Sequence, residues 1–176
     1  MTNEEKKLIL SAATQKISKK EFFKKFPIDL MDGRDHSTRY LEEAIENQDG
    51  DGLDCRLMLL GILGGGVEDH VPILCRLIKE KWHERHEDLA TIFQDLADPR
   101  TVDVLFETSQ TYFDYLDYND SFALHVKCAY ALGAIGNEKA RNKLEILAKN
   151  DNKDVREAAL YNLKKYFPDL TPLSRN

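Results

Sequence analysis

The residues best suited to chemistry are His83 and His86, in the stretch KWHERHEDL at 81–89. On a helix, positions i and i+3 share a face, so the two imidazoles could converge on one metal ion. The zinc-protease pattern H-E-x-x-H is not met, because the second histidine comes one residue early. His36, His70 and His125 are scattered, and no Ser–His–Asp grouping can be argued from spacing. The glycines of GILGGGVED close a helical pattern, where glycine serves first as a C-cap and turn, so no phosphate cradle is expected there. The sequence predicts no catalytic residue, no metal and no cofactor, and the chain is expected not to be an enzyme.

Recognition is the second kind of chemistry on offer. The stretch YFDYLDYND, residues 112–120, holds four aromatics and three aspartates in nine positions. It lies in an acidic field. Residues 1–30 have seven basic and four acidic groups, net +3; residues 31–125 have eight and twenty-one, net −13; residues 126–176 have ten and six, net +4. A middle of that sign repels nucleic acid and draws cationic partners. The one dense basic cluster, KKEFFKK at 19–25, reads as a solvated helix face opposite Phe22, Phe23 and Phe26, and no nucleic-acid partner is predicted.

The elements that must position these residues are helical. Hydrophobic content of 42% and charged content of 32% describe an ordered and rather polar chain. No run approaches about 18 apolar residues, so no membrane partner is expected. The start, MTNEEKKLIL, has no apolar core long enough for a signal peptide, and the cytoplasm is the expected compartment. Cys55, Cys75 and Cys128 each sit in an apolar helical pattern and read as small buried hydrophobes. One helix is predicted over 4–16, a second from Ser18 with Ser18 and Glu21 spaced as a capping box, and a third over 37–48 with Tyr40, Leu41, Ala44 and Ile45 inward. The third helix follows the connector FPIDLMDGRDHS and precedes the turn NQDGDG.

From there the chain repeats itself. Leu60, Phe93, Leu132 and Leu163 fall on equivalent positions, with spacings of 33, 39 and 31. So do Leu63, Leu96, Ile135 and Tyr166, and so do Leu57, Ala90, Ala129 and Leu160. Turn formers follow: Gly64–Gly66, then Ala97–Asp98–Pro99, then Gly136–Asn137. Eight residues beyond Gly66, Ala97 and Gly136 lie Leu74, Leu105 and Leu144. A helix, a tight turn and a second helix at this period make a stack of hairpins that share one core.

These lines resemble HEAT-like repeats, particularly the short bacterial type of phycobilisome-lyase-like proteins. The stretch ALGAIGNEKARNKLEILAKNDNKDVREAALYNL carries the likeness best, with its small-residue turn and its Asp154-Val155-Arg156. In that family the Asp–Val–Arg element opens a first helix and its arginine ties neighbouring units; here Leu53-Asp54, His86-Glu87 and His125-Val126 stand at the equivalent places. The resemblance covers residues 52–166. It implies an all-α fold, a right-handed α-solenoid of about ten helices, forming a single domain over 1–176 with residues 1–50 as capping helices. His86-Glu87 also resembles the His–Glu motif of deoxyhypusine hydroxylase, a di-iron enzyme of these repeats. One such pair where that enzyme needs four assembles no iron site.

The resemblance extends to HEAT-type immunity proteins of bacterial toxin systems, which implies a protein-binding inhibitor of a basic toxin, such as a nuclease. A general scaffold or adaptor is the alternative, and a lyase or metal-dependent relative is a third. If the helix from Val102 runs on, Leu105, Phe106, Ser109, Tyr112, Phe113 and Leu116 face inward. That leaves Tyr115 and Tyr118 outward as anchors, beside Asp114, Asp117, Asp120 and Glu107, whose carboxylates would meet lysine or arginine of the partner.

Overall fold

The computed structural model describes residues 1–26, 33–63, 66–116 and 122–168. Among the described residues there are ten α-helices and no strand. They are α1 (Asn3–Ala13), α2 (Lys19–Lys25), α3 (Gly33–Asn47), α4 (Gly50–Leu63), α5 (Val71–Leu77), α6 (His86–Leu96), α7 (Val102–Thr108), α8 (Ala123–Ile135), α9 (Glu138–Leu147) and α10 (Lys153–Tyr166). The chain gathers into two compact units, Met1–Arg85 and His86–Asn176.

In the first unit, the helix starts follow their capping chemistry. Thr2 with Glu5, and Ser18 with Glu21, each form a complete capping box, satisfying backbone N–H groups that a helix start leaves open. α2 stops one residue before Pro27, because the residue preceding a proline is driven out of helical geometry; Phe26 has φ −81° and ψ 129°. Phe22 and Phe26 stack with ring centroids 4.8 Å apart and join Ile9, Cys55 and Leu59 in a buried cluster, while Lys19, Lys20, Lys24 and Lys25 stay exposed. The phenylalanine face is thus core of its own unit. α3 starts at Gly33, four residues before the predicted start, and it buries Leu41 and Ala44 against α4 and α5. The turn NQDGDG shrinks to Gln48 and Asp49, with Gln48 left-handed at φ +48°, and both following glycines belong to α4. Gly52 has a steric role. The Asp49–Arg56 ion pair, at 2.7 Å with Arg56 only 4% exposed, passes over the place its Cβ would occupy.

In the second unit, α8 packs against both α6 and α10, and α7 and α9 lie against α8 and against each other. The repeat positions account for this packing. Phe93, Leu132 and Leu163 are buried, as is Leu60 in the first unit, and Leu74, Leu105 and Leu144 are fully buried on the second helices. Each such side chain contributes roughly 1.5–3 kcal/mol when removed from water. The three turns share one backbone conformation. Gly66, Ala97 and Gly136 are left-handed, at φ +76°, +49° and +66°. The next hairpin arms start on side-chain caps: Asp98 accepts from the Arg100 N–H and Asn137 from the Ala140 N–H. Val155 is buried, and Arg156 donates to the carbonyls of Asn150 (2.6 Å) and Asp151 (3.0 Å), fastening α10 to the loop that follows α9. The register loosens at the last repeat, where Leu160 (47%) and Tyr166 (39%) are exposed although their counterparts are buried or half-buried.

Gly133 marks a close approach of α8 and α10. A Cβ there would stand 2.8 Å from the Cβ of Asn162 on α10, with the side-chain amide closer still. Asn162 is fully buried; its Nδ2 donates to the Ala158 carbonyl at 2.8 Å.

Candidate functional site

The two histidines do not share a face. His83 precedes α6, in the loop that closes the first unit. Its Nε2–H donates to the Leu77 carbonyl (2.8 Å) and its Nδ1 accepts from the Arg85 N–H (3.0 Å), which fixes one neutral tautomer. Burial lowers its pKa below the ordinary imidazole value, opposed by the bond to Leu77. The indole of Trp82 packs edge-on against this ring at 4.9 Å and donates to Glu80. His86 opens α6 in the second unit and is fully buried. Its ring lies 3.8 Å from that of Phe113, stacks on Tyr115 at 5.5 Å, and shares a 3.0 Å hydrogen bond between Nδ1 and the Tyr115 hydroxyl. Among the described residues no group of three or more His, Cys, Asp or Glu side chains could hold a metal ion.

The aromatic–acidic stretch departs from its expected geometry. α7 ends at Thr108 instead of running on to Leu116, and Asp114–Leu116 form a separate short 3-10 turn. The cause is visible in side chains that compete for the backbone: Ser109 Oγ donates to the Phe106 carbonyl (2.7 Å) and Thr111 Oγ1 to that of Glu107 (2.8 Å). Of the residues expected inside, Leu105, Ser109 and Phe113 are buried, Phe106 and Leu116 are half-buried, and Tyr112 is 59% exposed. Tyr115, expected to be an outward anchor, is instead half-buried against His86. Losing helical phase after Thr108 exchanges the two tyrosines. Glu107 and Asp114 are exposed. Asp117, Tyr118 and Asp120 lie outside the described residues.

The resulting surface is a short turn with its backing pinned. Phe113 and Tyr115 hold it on the His86 ring, the Thr111 carbonyl shares a hydrogen bond with His125 Nε2 (3.1 Å), and Tyr112 and Asp114 project outward. Sequence spacing assigned Tyr112 to the core; the run Thr108-Ser109-Gln110-Thr111, poor in helix formers, was the available sign that the helix stops.

One pairing was not legible in the sequence. Ser37 Oγ lies 2.6 Å from His70 Nε2, and His70 Nδ1–H donates to the Gly66 carbonyl at 2.8 Å. The geometry is that of a hydroxyl beside a general base. Both residues are buried, at 3% and 2% exposure, and the pair ties α3 to the turn before α5. Cys55 and Cys128 are buried and Cys75 is half-buried. No described helix is long and apolar enough to cross a membrane.

Comparison with protein-family models, with curated proteins and with solved structures finds no match for the chain. The functional reading therefore stands on the residues themselves.

Proposed function

We propose that this chain is a protein-binding module without catalysis: a right-handed solenoid of HEAT-like hairpins that acts in the cytoplasm as inhibitor of a basic protein, in the manner of immunity proteins that neutralise bacterial toxins. The observation that carries the reading is the Tyr112–Leu116 turn. Tyr112 stands 59% exposed beside the exposed Asp114, on a backing held by Phe113 and Tyr115. A pinned aromatic–acidic turn loses little freedom when it binds, and tyrosine offers a large contact area. On this reading Tyr112, not Tyr115, would be an anchor, with Tyr118 as a second. Glu107, Asp114, Asp117 and Asp120 would stand in for phosphates against lysine and arginine, and the net charge of −13 over residues 31–125 speeds the encounter.

The test is capture of a partner by the purified protein, repeated with the triple variant Asp114→Asn, Asp117→Asn, Asp120→Asn. A basic partner that is held by the native chain, lost by the triple variant and weakened about tenfold or more by raised salt is the expected result. A partner held equally by both forms, and insensitive to salt, overturns the inhibitor reading in favour of a scaffold or adaptor.

A further inference from the structure

The exposed face of α4 carries a stripe and a groove made entirely of first-unit residues. Positions 51, 54, 58 and 61 recur at helical spacing and share one stripe. Asp51 is exposed at the N-terminal end, Asp54 is half-buried in an ion pair with Arg85, Met58 is 39% exposed, and Gly61 is exposed near the C-terminal end. A Cβ at Gly61 would meet nothing within 4 Å. Beside it lies a groove of about 350 Å³, floored by Ala12, Ala13, Met58, Gly61 and Ile62, with Lys19 on its edge. Lys19 is exposed, and its Nζ sits 3.4 Å from the Leu63 carbonyl, which places an ammonium at the C-terminal end of the stripe.

Such a stripe is self-complementary. It reads carboxylate, apolar and small along α4, and Lys19 of α2 supplies the ammonium beside its C-terminal end, so an identical surface set antiparallel places each end against its opposite. A two-fold axis generates that arrangement. With Asp51 against the end marked by Leu63, the axis passes beside Leu57 and Met58, each acidic end lying about 9 Å from it along the helix. The exposed methionines then meet near the axis, and the groove at Gly61 leaves room for close approach of the second backbone.

We infer that the chain pairs with a second copy of itself through α4, antiparallel about this axis, with Asp51 of each copy against Lys19 of the other. The occupant follows from the charge order: a second copy sets Asp51 against Lys19 at both ends at once.

Sedimentation equilibrium of the full chain at low salt, up to about 0.5 mM, tests this. The native protein is expected to show a concentration-dependent dimer. Gly61→Lys sets bulk and charge into the groove where nothing is displaced, and should give monomer with an unchanged circular dichroism spectrum. Lys19→Glu and Asp51→Lys should each weaken the dimer about five- to tenfold, and the double variant K19E/D51K should recover it, because an isologous interface lets the exchanged charges meet again. A native chain that is monomeric throughout overturns the inference. So does a dimer indifferent to Gly61→Lys, or one that the charge exchange fails to recover.

Discussion

Gly61 and Gly133 occupy the same register, each one residue past a buried repeat leucine, Leu60 or Leu132, yet their surroundings are opposite. Gly133 lies under Asn162 of α10, and a methyl group there would collide with it. Gly61 faces open space. One repeat letter thus does two jobs: in the second unit it admits a neighbouring helix of the same chain, and in the first it leaves a helix face bare. A sequence repeat reports the shape of the hairpin, while what lies over the hairpin is decided by tertiary packing.

Replacing each glycine by alanine is the most direct way to break that comparison. Gly133→Ala should destabilise the protein by about 2 kcal/mol, the usual cost of overpacking a tight contact, read as a lowered denaturant midpoint. A change within about 0.5 kcal/mol would mean that α8 and α10 can part without loss. Acid should act on the other unit. His83 is held neutral by burial, its pKa below the ordinary value near 6.5. Between the two values the unfolded chain binds a proton that the fold does not, so stability is full above about pH 6.5 and falls as pH drops through that window. His83→Gln should flatten this part of the pH profile, and an unchanged slope would show that His83 does not contribute to it. The smallest effect belongs to Gly61→Ala, which, at dilutions where the chain is monomeric, should stabilise by about 0.5 kcal/mol through helix propensity alone. A loss of stability there would show that the face is already covered.

Much of the helical plan was legible in the sequence because capping and hydrophobic spacing are local. The Ser18–Glu21 box, the stop before Pro27 and the burial of Phe93, Leu132 and Leu163 all follow from residues a few positions apart. The fate of Tyr112 and Tyr115 was not legible, since it turns on whether α7 continues past Thr108. Periodicity carried forward through Ser109 and Thr111 assumes a helix that their hydroxyls help to end. Ser37 and His70 meet only because α3 packs on the turn before α5, a contact between residues 33 positions apart. The early start of α3 at Gly33 was hidden by the turn-like composition of MDGRD. In the last repeat, Leu160 and Tyr166 keep the pattern but not the burial: in the second unit α8 has a first helix on each side, α6 and α10, whereas the main packing of α10 among the described residues is on α8 and α9.

Trp82 is the one tryptophan of the chain, and its indole leans edge-on against His83 at the close of the first unit. Its fluorescence is therefore a local gauge: emission follows the folding of residues up to Arg85 and the protonation of His83, while the far-ultraviolet signal sums helices of both units. The chain carries a built-in optical label on one half only, and the separation of the two melting curves reads directly how strongly the halves fold together.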